Sequence, residues 1–261
     1  SGIDPFTGQP VTVTYDSKIE SVNPAASGGE DHVYLAPGFI DVQVNGFAGA
    51  DYCQSGTPIE EIGRSLDVIY SSGSSRIFPT VITNSPQEMV GALGNLANAK
   101  EQLPNSAVME GYHVEGPFIS PNDGPRGAHP RQWVIAPDIE LFYRMQESAR
   151  GLIKLFTLSP EWPEAPAFIE KVAATGVTVS IGHTCATSEQ ISAAVSAGAT
   201  MSTHLGNGAD KVLVRHPNYL WQQMADDRLY AGLIVDGIHI GQDFLRVALR
   251  AKGMDRAVLV T

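Results

Sequence analysis

The sequence predicts an α/β fold, a (β/α)8 TIM-type barrel preceded by a small β segment. From Pro37 onward, eight short apolar runs alternate with helix-like segments. Strands separated by helices form parallel sheets, and eight is the number that closes a barrel. In addition, polar residues fall at the ends of these runs, where barrel enzymes keep their chemistry. An open doubly wound sheet is the alternative. It wants a glycine-rich phosphate turn after its first strand, and NGFAGADY after the first run lacks G-x-G-x-x-G.

Residues 11–22, VTVTYDSKIESV, alternate as two short strands around a turn at Asp16-Ser17, and 23–31 read as loop. An isolated hairpin is marginal in water, so residues 1–36 form an incomplete β segment that needs partners. The barrel then occupies 37–261, truncated at its eighth strand. Its runs are GFIDVQVN (38–45), RIFPTVI (76–82), MEGYHVEG (109–116) and GLIKLFTLSPE (151–161). TVSIGHT (178–184), TMSTHLGN (200–207), LYAGLIVDG (229–237) and RAVLVT (256–261) complete the set. The intervening helices begin at PIEEIGRSL, SPQEMVGAL, PDIELFYRM, PEAPAFIEK, TSEQISAAV and QDFLRVALR. Several open on Ser, Thr or Pro and close on Gly, which are ordinary start and stop signals.

Net charge is −11 and no Lys/Arg cluster occurs, which argues against nucleic acid or an acidic membrane surface as partner. No run of about 18 apolar residues exists, so no membrane-spanning helix is expected, and the first residues lack a secretory pattern. Cys53 and Cys185 form no CxxC pair, which suits a reducing cytoplasm and two packed thiols.

Gln43 and Asn45 end run one, Glu115 run three, His183 run five and His204 run six, while His239 follows run seven. Glu115, His183 and His204 make a candidate mononuclear site, because zinc accepts imidazole nitrogen and carboxylate oxygen and a catalytic zinc keeps three protein ligands. Their long, irregular spacing carries no zinc motif, and a structural polar cluster is the competing interpretation. His113, inside run three, reads as a core histidine, and His32 and His216 read as surface residues. Trp133, Trp162 and Trp221 read as helix-to-barrel packing, with Trp221 as an alternative lining of the substrate mouth.

At these residues the chain resembles the amidohydrolases, and within them the N-acetylglucosamine-6-phosphate deacetylases. The resemblance runs from about Leu35 to Thr261 through APGFIDVQVNG (36–46), GYHVEGPFIS (111–120), RGAH (126–129), TLSPE (157–161), VSIGHT (179–184), STHLGN (202–207), IVDGIH (234–239) and AVLVT (257–261). It implies that Glu115, His183 and His204 bind one divalent metal, zinc by default. Gln43 and Asn45 stand where related enzymes hold a second metal, and amides are poor zinc ligands beside imidazole. His129 and His239 match substrate-contacting positions, His129 also polarising the acetamide carbonyl. The implied reaction yields glucosamine 6-phosphate and acetate.

The same resemblance places the general base, an aspartate, just after a sequence like VLVT, beyond Thr261. Asp41 and Asp236 do not replace it: Asp41 lies inside run one and Asp236 in the loop that positions His239. It also places the partners of strands 11–22, completing a β-sandwich, after the barrel. The expectation is therefore an inactive fragment. After His204 the family reads Leu-Tyr-Asn-Ala-Met, whereas this chain has Leu205-Gly206-Asn207-Gly208-Ala209. Asn207 and the Gly208 N–H remain phosphate contacts, and Arg215 is the match to a phosphate-binding arginine supplied across a homodimer. Two other functions are weighed: an amidohydrolase for an unphosphorylated N-acyl or cyclic amide, and a non-catalytic relic.

Overall fold

The computed structural model describes residues 1–27 and 33–261, so His32 lies outside the described residues. The chain divides into two compact units, Ser1–Phe39 and Ile40–Thr261.

The first unit holds three antiparallel strands, β1 (Gly2–Ile3), β2 (Pro10–Tyr15) and β3 (Ile19–Pro24), in that order. The hairpin expected over 11–22 is β2–β3, and β1 is a strand too short for sequence periodicity to mark.

The second unit takes β4 (Phe39–Val44) from Ile40 onward and a two-stranded ribbon of β5 (Gly46–Phe47) and β6 (Ala50–Asp51). Then follow α1 (Ile59–Ser71), β7 (Ser74–Ile82), α2 (Pro86–Gln102), β8 (Tyr112–Glu115), α3 (Ile139–Ser148), β9 (Ile153–Leu158) and α4 (Ala165–Ala174). The series ends with β10 (Thr178–Ile181), α5 (Ser188–Ala197), β11 (Ala199–Ser202), α6 (Tyr219–Ala225), β12 (Tyr230–Ile234), α7 (Gln242–Lys252) and β13 (Ala257–Val260). β4 and β7 to β13 form one eight-stranded sheet, a nearly closed parallel barrel with neighbours in chain order. At the seam, Thr261 Oγ1 donates to Asp41 Oδ2 at 2.7 Å and to the Gln43 carbonyl at 3.3 Å. Asp41 therefore stitches the two ends of the sheet. Its burial pushes the carboxyl upward, and the N–H of Gln43 and the Thr261 hydroxyl partly offset that.

Local chemistry starts and stops the helices. Ser85 accepts from the Glu88 N–H at α2, Asp138 from Glu140 and Leu141 at α3, and Thr187 and Gln190 form a capping box at α5. Each such cap contributes about 1 kcal/mol. Gly198 ends α5 at φ +119, a left-handed conformation open to glycine. The helix α6 has no counterpart among the helices expected from sequence: it is one of 7 residues inside the segment after run six, started by the Asn218 side chain accepting from Leu220 and Trp221.

Between helices and strands lies a continuous apolar core, in which Phe118, Phe142, Phe156 and Phe168 pack ring on ring with centroids 5.1 to 6.2 Å apart. Phe118 belongs to the loop after β8, so this cluster anchors the segment that follows Glu115. Trp162 also packs on the core and donates Nε1–H to the Ile119 carbonyl at 3.1 Å. Trp133 and Trp221 depart from the packing expected of them: they are 36% and 49% exposed. Trp133 ends a three-residue 3-10 turn and Trp221 lies in α6, so each is only partly covered.

Inside the barrel the lining is polar. Thr80 Oγ1 meets His113 Nδ1 at 3.4 Å, His113 Nε2 meets Thr157 Oγ1 at 2.7 Å, and hydroxyls of Thr157, Thr203 and Ser180 link at 2.6 Å each. All five side chains are fully or almost fully buried. Burial lowers the His113 imidazole to about 4, so it stays neutral and satisfied on both nitrogens.

Candidate active site

Glu115 is the last residue of β8, whereas His183 and His204 stand two residues beyond β10 and β11. Both histidines have left-handed backbones, φ +49 and φ +28. A non-glycine residue held this way costs on the order of 1–3 kcal/mol and persists where its surroundings over-determine it. The next strands provide that constraint. The Gly182 N–H donates to the Leu158 carbonyl, the Thr203 N–H to Ile181, the Leu205 N–H to Gly232, and the Ser120 N–H to the His183 carbonyl. The turns drive both imidazoles inward to the Glu115 carboxylate.

His204 Nε2 lies 2.8 Å and His183 Nε2 3.0 Å from Glu115 Oε1, and the two nitrogens are 3.1 Å apart. All three residues are buried. Around a cation with bonds of about 2.0–2.1 Å, tetrahedral ligand atoms lie about 3.3 Å from one another. The observed triangle is close to that. Two further observations fit a metal. Two imidazole nitrogens at 3.1 Å leave one lone pair needing a cation or proton between them. This is also the single group of three or more His, Cys, Asp or Glu side chains able to hold a metal among the described residues.

Burial alone would raise the Glu115 carboxyl, but hydrogen bonds from His183 and His204 hold it well below the usual carboxylate range. Burial pushes His183 down, and its hydrogen bond to Glu115 more than reverses this. His183 Nδ1 is fixed by the Pro125 carbonyl at 2.9 Å, which leaves Nε2 to face the carboxylate. His204 Nδ1 is buried without a protein partner.

Gln43 and Asn45 differ. Gln43 Nε2 donates to Glu115 Oε2 at 3.1 Å, so its amide orients the carboxylate as a donor. Asn45 offers its carbonyl to the Tyr52 N–H and has no side-chain hydrogen bond in the described network. His129 joins the cluster, with Nε2 3.2 Å from His183 Nε2 and Nδ1 2.8 Å from Thr83 Oγ1. Burial, and then the charge of His183, bring His129 down to about 3, so it is a neutral imidazole at physiological pH.

Gly208 packs against the His183 ring: a Cβ there would fall 2.7 Å from Nδ1, and its φ of +57 suits glycine. Asn207 donates its N–H to the His204 carbonyl at 2.8 Å, and its side-chain Nδ2 is buried with no partner. Arg215 is exposed and forms no ion pair among the described residues. His239 is also exposed. Its Nδ1 sits 2.7 Å from Asp236 Oδ2, while Asp236 Oδ1 accepts the N–H groups of Ile238 and His239. Those backbone donors, followed by the imidazole, bring Asp236 down to about 2. The histidine is therefore oriented, but not hydrogen-bonded to the three-residue cluster. Thr83, Gln43 as a donor to Glu115, and the Glu161 carboxylate beside the His183 loop escape sequence reasoning; the last is visible only as the end of TLSPE.

No protein-family model matches the chain. It is 33% identical over 261 residues to the N-acetylglucosamine-6-phosphate deacetylase of Bacillus subtilis, covering 97% of this chain and 64% of that protein. It is also 33% identical, over 237 residues, to the N-acetylgalactosamine-6-phosphate deacetylase of a Shewanella strain, covering 87% of this chain and 56% of that protein. Among solved structures, the Mycobacterium smegmatis N-acetyl-D-glucosamine-6-phosphate deacetylase superposes with a TM-score of 0.84 at 27% identity, over 95% of this chain and 65% of that one. An aspartate-to-alanine variant of the same enzyme, in complex with N-acetyl-D-glucosamine-6-phosphate, superposes at 0.82 with 28% identity, over 94% and 63%. The chain thus spans 56% to 65% of the length of these relatives. With these likenesses spanning the strand ends that carry Glu115, His183 and His204, the chain is similar over most of its length to the N-acetylglucosamine-6-phosphate deacetylases of the amidohydrolase family.

Proposed function

We propose that the protein is a metal-dependent hydrolase that removes the acetyl group from N-acetylglucosamine 6-phosphate. The observation that carries this is the convergence of Glu115, His183 and His204 on one point at the rim of the strands, with neutral His129 alongside. A single divalent ion held by Glu115 Oε1, His183 Nε2 and His204 Nε2, zinc by preference, would supply Lewis acidity toward the amide carbonyl and acidify a water.

The chain's own groups do the remaining work. Thr83 Oγ1, 2.8 Å from His129 Nδ1, fixes the ring so that Nε2 faces the cluster, where this proposal has it meet the substrate carbonyl. Gln43 keeps the second Glu115 oxygen turned away from the ion site. Asp236 holds His239 to receive the sugar. Asn207, the Gly208 N–H and Arg215 are the phosphate contacts of this proposal, and the buried Asn207 Nδ2 has no protein partner. The general base belongs to the aspartate position after Val258-Leu259-Val260-Thr261, which the 261 residues do not include. We assign the N-terminal strands to a β-sandwich, the enzyme to the cytoplasm, and the assembly to a homodimer sharing Arg215.

The test is acetate release by protein expressed from its complete reading frame and purified without chelator. Substrates are N-acetylglucosamine 6-phosphate, its galactosamine epimer and unphosphorylated N-acetylglucosamine. The proposal expects the first to be turned over fastest and the third at least a hundredfold more slowly. Equal rates with and without phosphate would remove the phosphate claim, preference for the epimer would reassign the sugar, and no release from any of them would leave a relic site.

A further inference from the structure

We infer that Glu161 is the positioning residue for the metal-binding loop of His183; this rests on the metal site proposed above. Glu161 follows β9, just past Ser159, and is half-buried. Its two carboxylate oxygens face six donors drawn from three different loops. Oε1 accepts from Ser120 Oγ at 3.1 Å, Asn122 Nδ2 at 3.4 Å and Cys185 Sγ at 3.0 Å. Oε2 accepts from Ser159 Oγ at 2.6 Å, Thr184 Oγ1 at 3.3 Å and the Cys185 N–H at 3.0 Å.

These donors bracket His183. Thr184 and Cys185 follow it directly, and Ser120, bound to Glu161 through its hydroxyl, donates its N–H to the His183 carbonyl at 2.9 Å. The Glu161 carbonyl, in turn, accepts from Gln190 Nε2 at the start of α5, which closes the same loop from the far side. A left-handed histidine at φ +49 returns to ordinary backbone geometry unless its neighbours prevent it. Glu161 is the group that ties those neighbours together, although no atom of it is hydrogen-bonded to Glu115, His183 or His204. A carboxylate fits best, since each of its oxygens meets an N–H that can only donate, Asn122 Nδ2 at Oε1 and the Cys185 backbone at Oε2, and a glutamine amide would oppose N–H to N–H at one of them.

The test compares wild type with Glu161→Gln, both from the complete reading frame. Zinc affinity is measured by competition with a chromophoric chelator well below either melting temperature, alongside the visible spectrum of the cobalt-loaded proteins. Wild type should take up one equivalent. The variant should bind about 10–100-fold more weakly, the range for losing an outer group that orients a ligand, with an altered cobalt spectrum. If Glu161→Gln does not fold, Ser159→Ala removes the shortest donor and should weaken zinc in the same direction by a few fold. A folded variant with wild-type affinity and cobalt spectrum overturns the inference. Wild type that takes up no metal overturns the underlying metal site, and the inference with it.

Discussion

Gly182 sits between the polar floor of the barrel and His183, and replacing it with alanine links packing to ligand geometry. The added Cβ would fall 2.8 Å from Thr157 Cγ2 and 2.9 Å from Thr203 Cβ. Carbon atoms in good contact sit about 3.5–4.0 Å apart, so the overlap is about 0.6–1.2 Å. Neither threonine can swing away freely, because their hydroxyls bond each other at 2.6 Å and continue to His113 and Ser180. Overpacking of this kind costs about 1–3 kcal/mol. For a unit of this size that is a fall in Tm of about 2–12 °C. Relief must come from the 182–183 backbone, which moves His183 Nε2 by several tenths of an ångström, whereas metal–ligand distances tolerate about 0.2 Å. Zinc affinity should fall about 10–100-fold. Scanning calorimetry and chelator competition read both numbers. A Gly182→Ala protein that melts within a degree of wild type and binds zinc equally well would refute the rigid floor and its coupling to the site.

Other substitutions separate the parts of the site. Thr83→Val removes the hydroxyl that orients His129 and should lower kcat about tenfold, roughly 1.4 kcal/mol, with zinc content unchanged by elemental analysis. Unchanged kcat would clear Thr83 of that role. Gln43→Leu leaves Glu115 Oε2 without its donor, and zinc affinity should drop about tenfold by chelator competition; no change would make the amide a bystander. Stability should also depend on pH through His113, lowered from 6.5 to about 4 by burial. The unfolded chain binds the proton first, so this contribution is complete above pH 6.5 and is lost as pH falls toward 4. Urea unfolding at pH 7.5, 5.5 and 4.5 should show that loss in wild type and a shallower one in His113→Gln; parallel slopes would exclude His113.

Much of the barrel is legible in sequence because each strand is a short apolar run bounded by turn signals, and run and strand agree to within a few residues. What the runs conceal is where they stop. Ile181 and Ser202 end β10 and β11 two residues before His183 and His204, since apolar character does not report a switch to left-handed backbone. The helix α6 is hidden by its length, and β1 by its two residues. Of the site, Glu115, His183 and His204 were readable because imidazole and carboxylate at strand ends are a chemical signature. Thr83 and Glu161 were not, because a threonine or glutamate in a loop means nothing until the fold brings it beside a ligand. The exposed positions of Arg215 and His239 were equally invisible, as exposure is a property of the packed chain.

The most direct test of the whole account is the metal stoichiometry of the protein, with the ion located by anomalous diffraction. One divalent ion per chain is expected, bound by Glu115, His183 and His204 with Gln43 and Asn45 uncoordinated. Two ions per chain, or one held by other side chains, would contradict it.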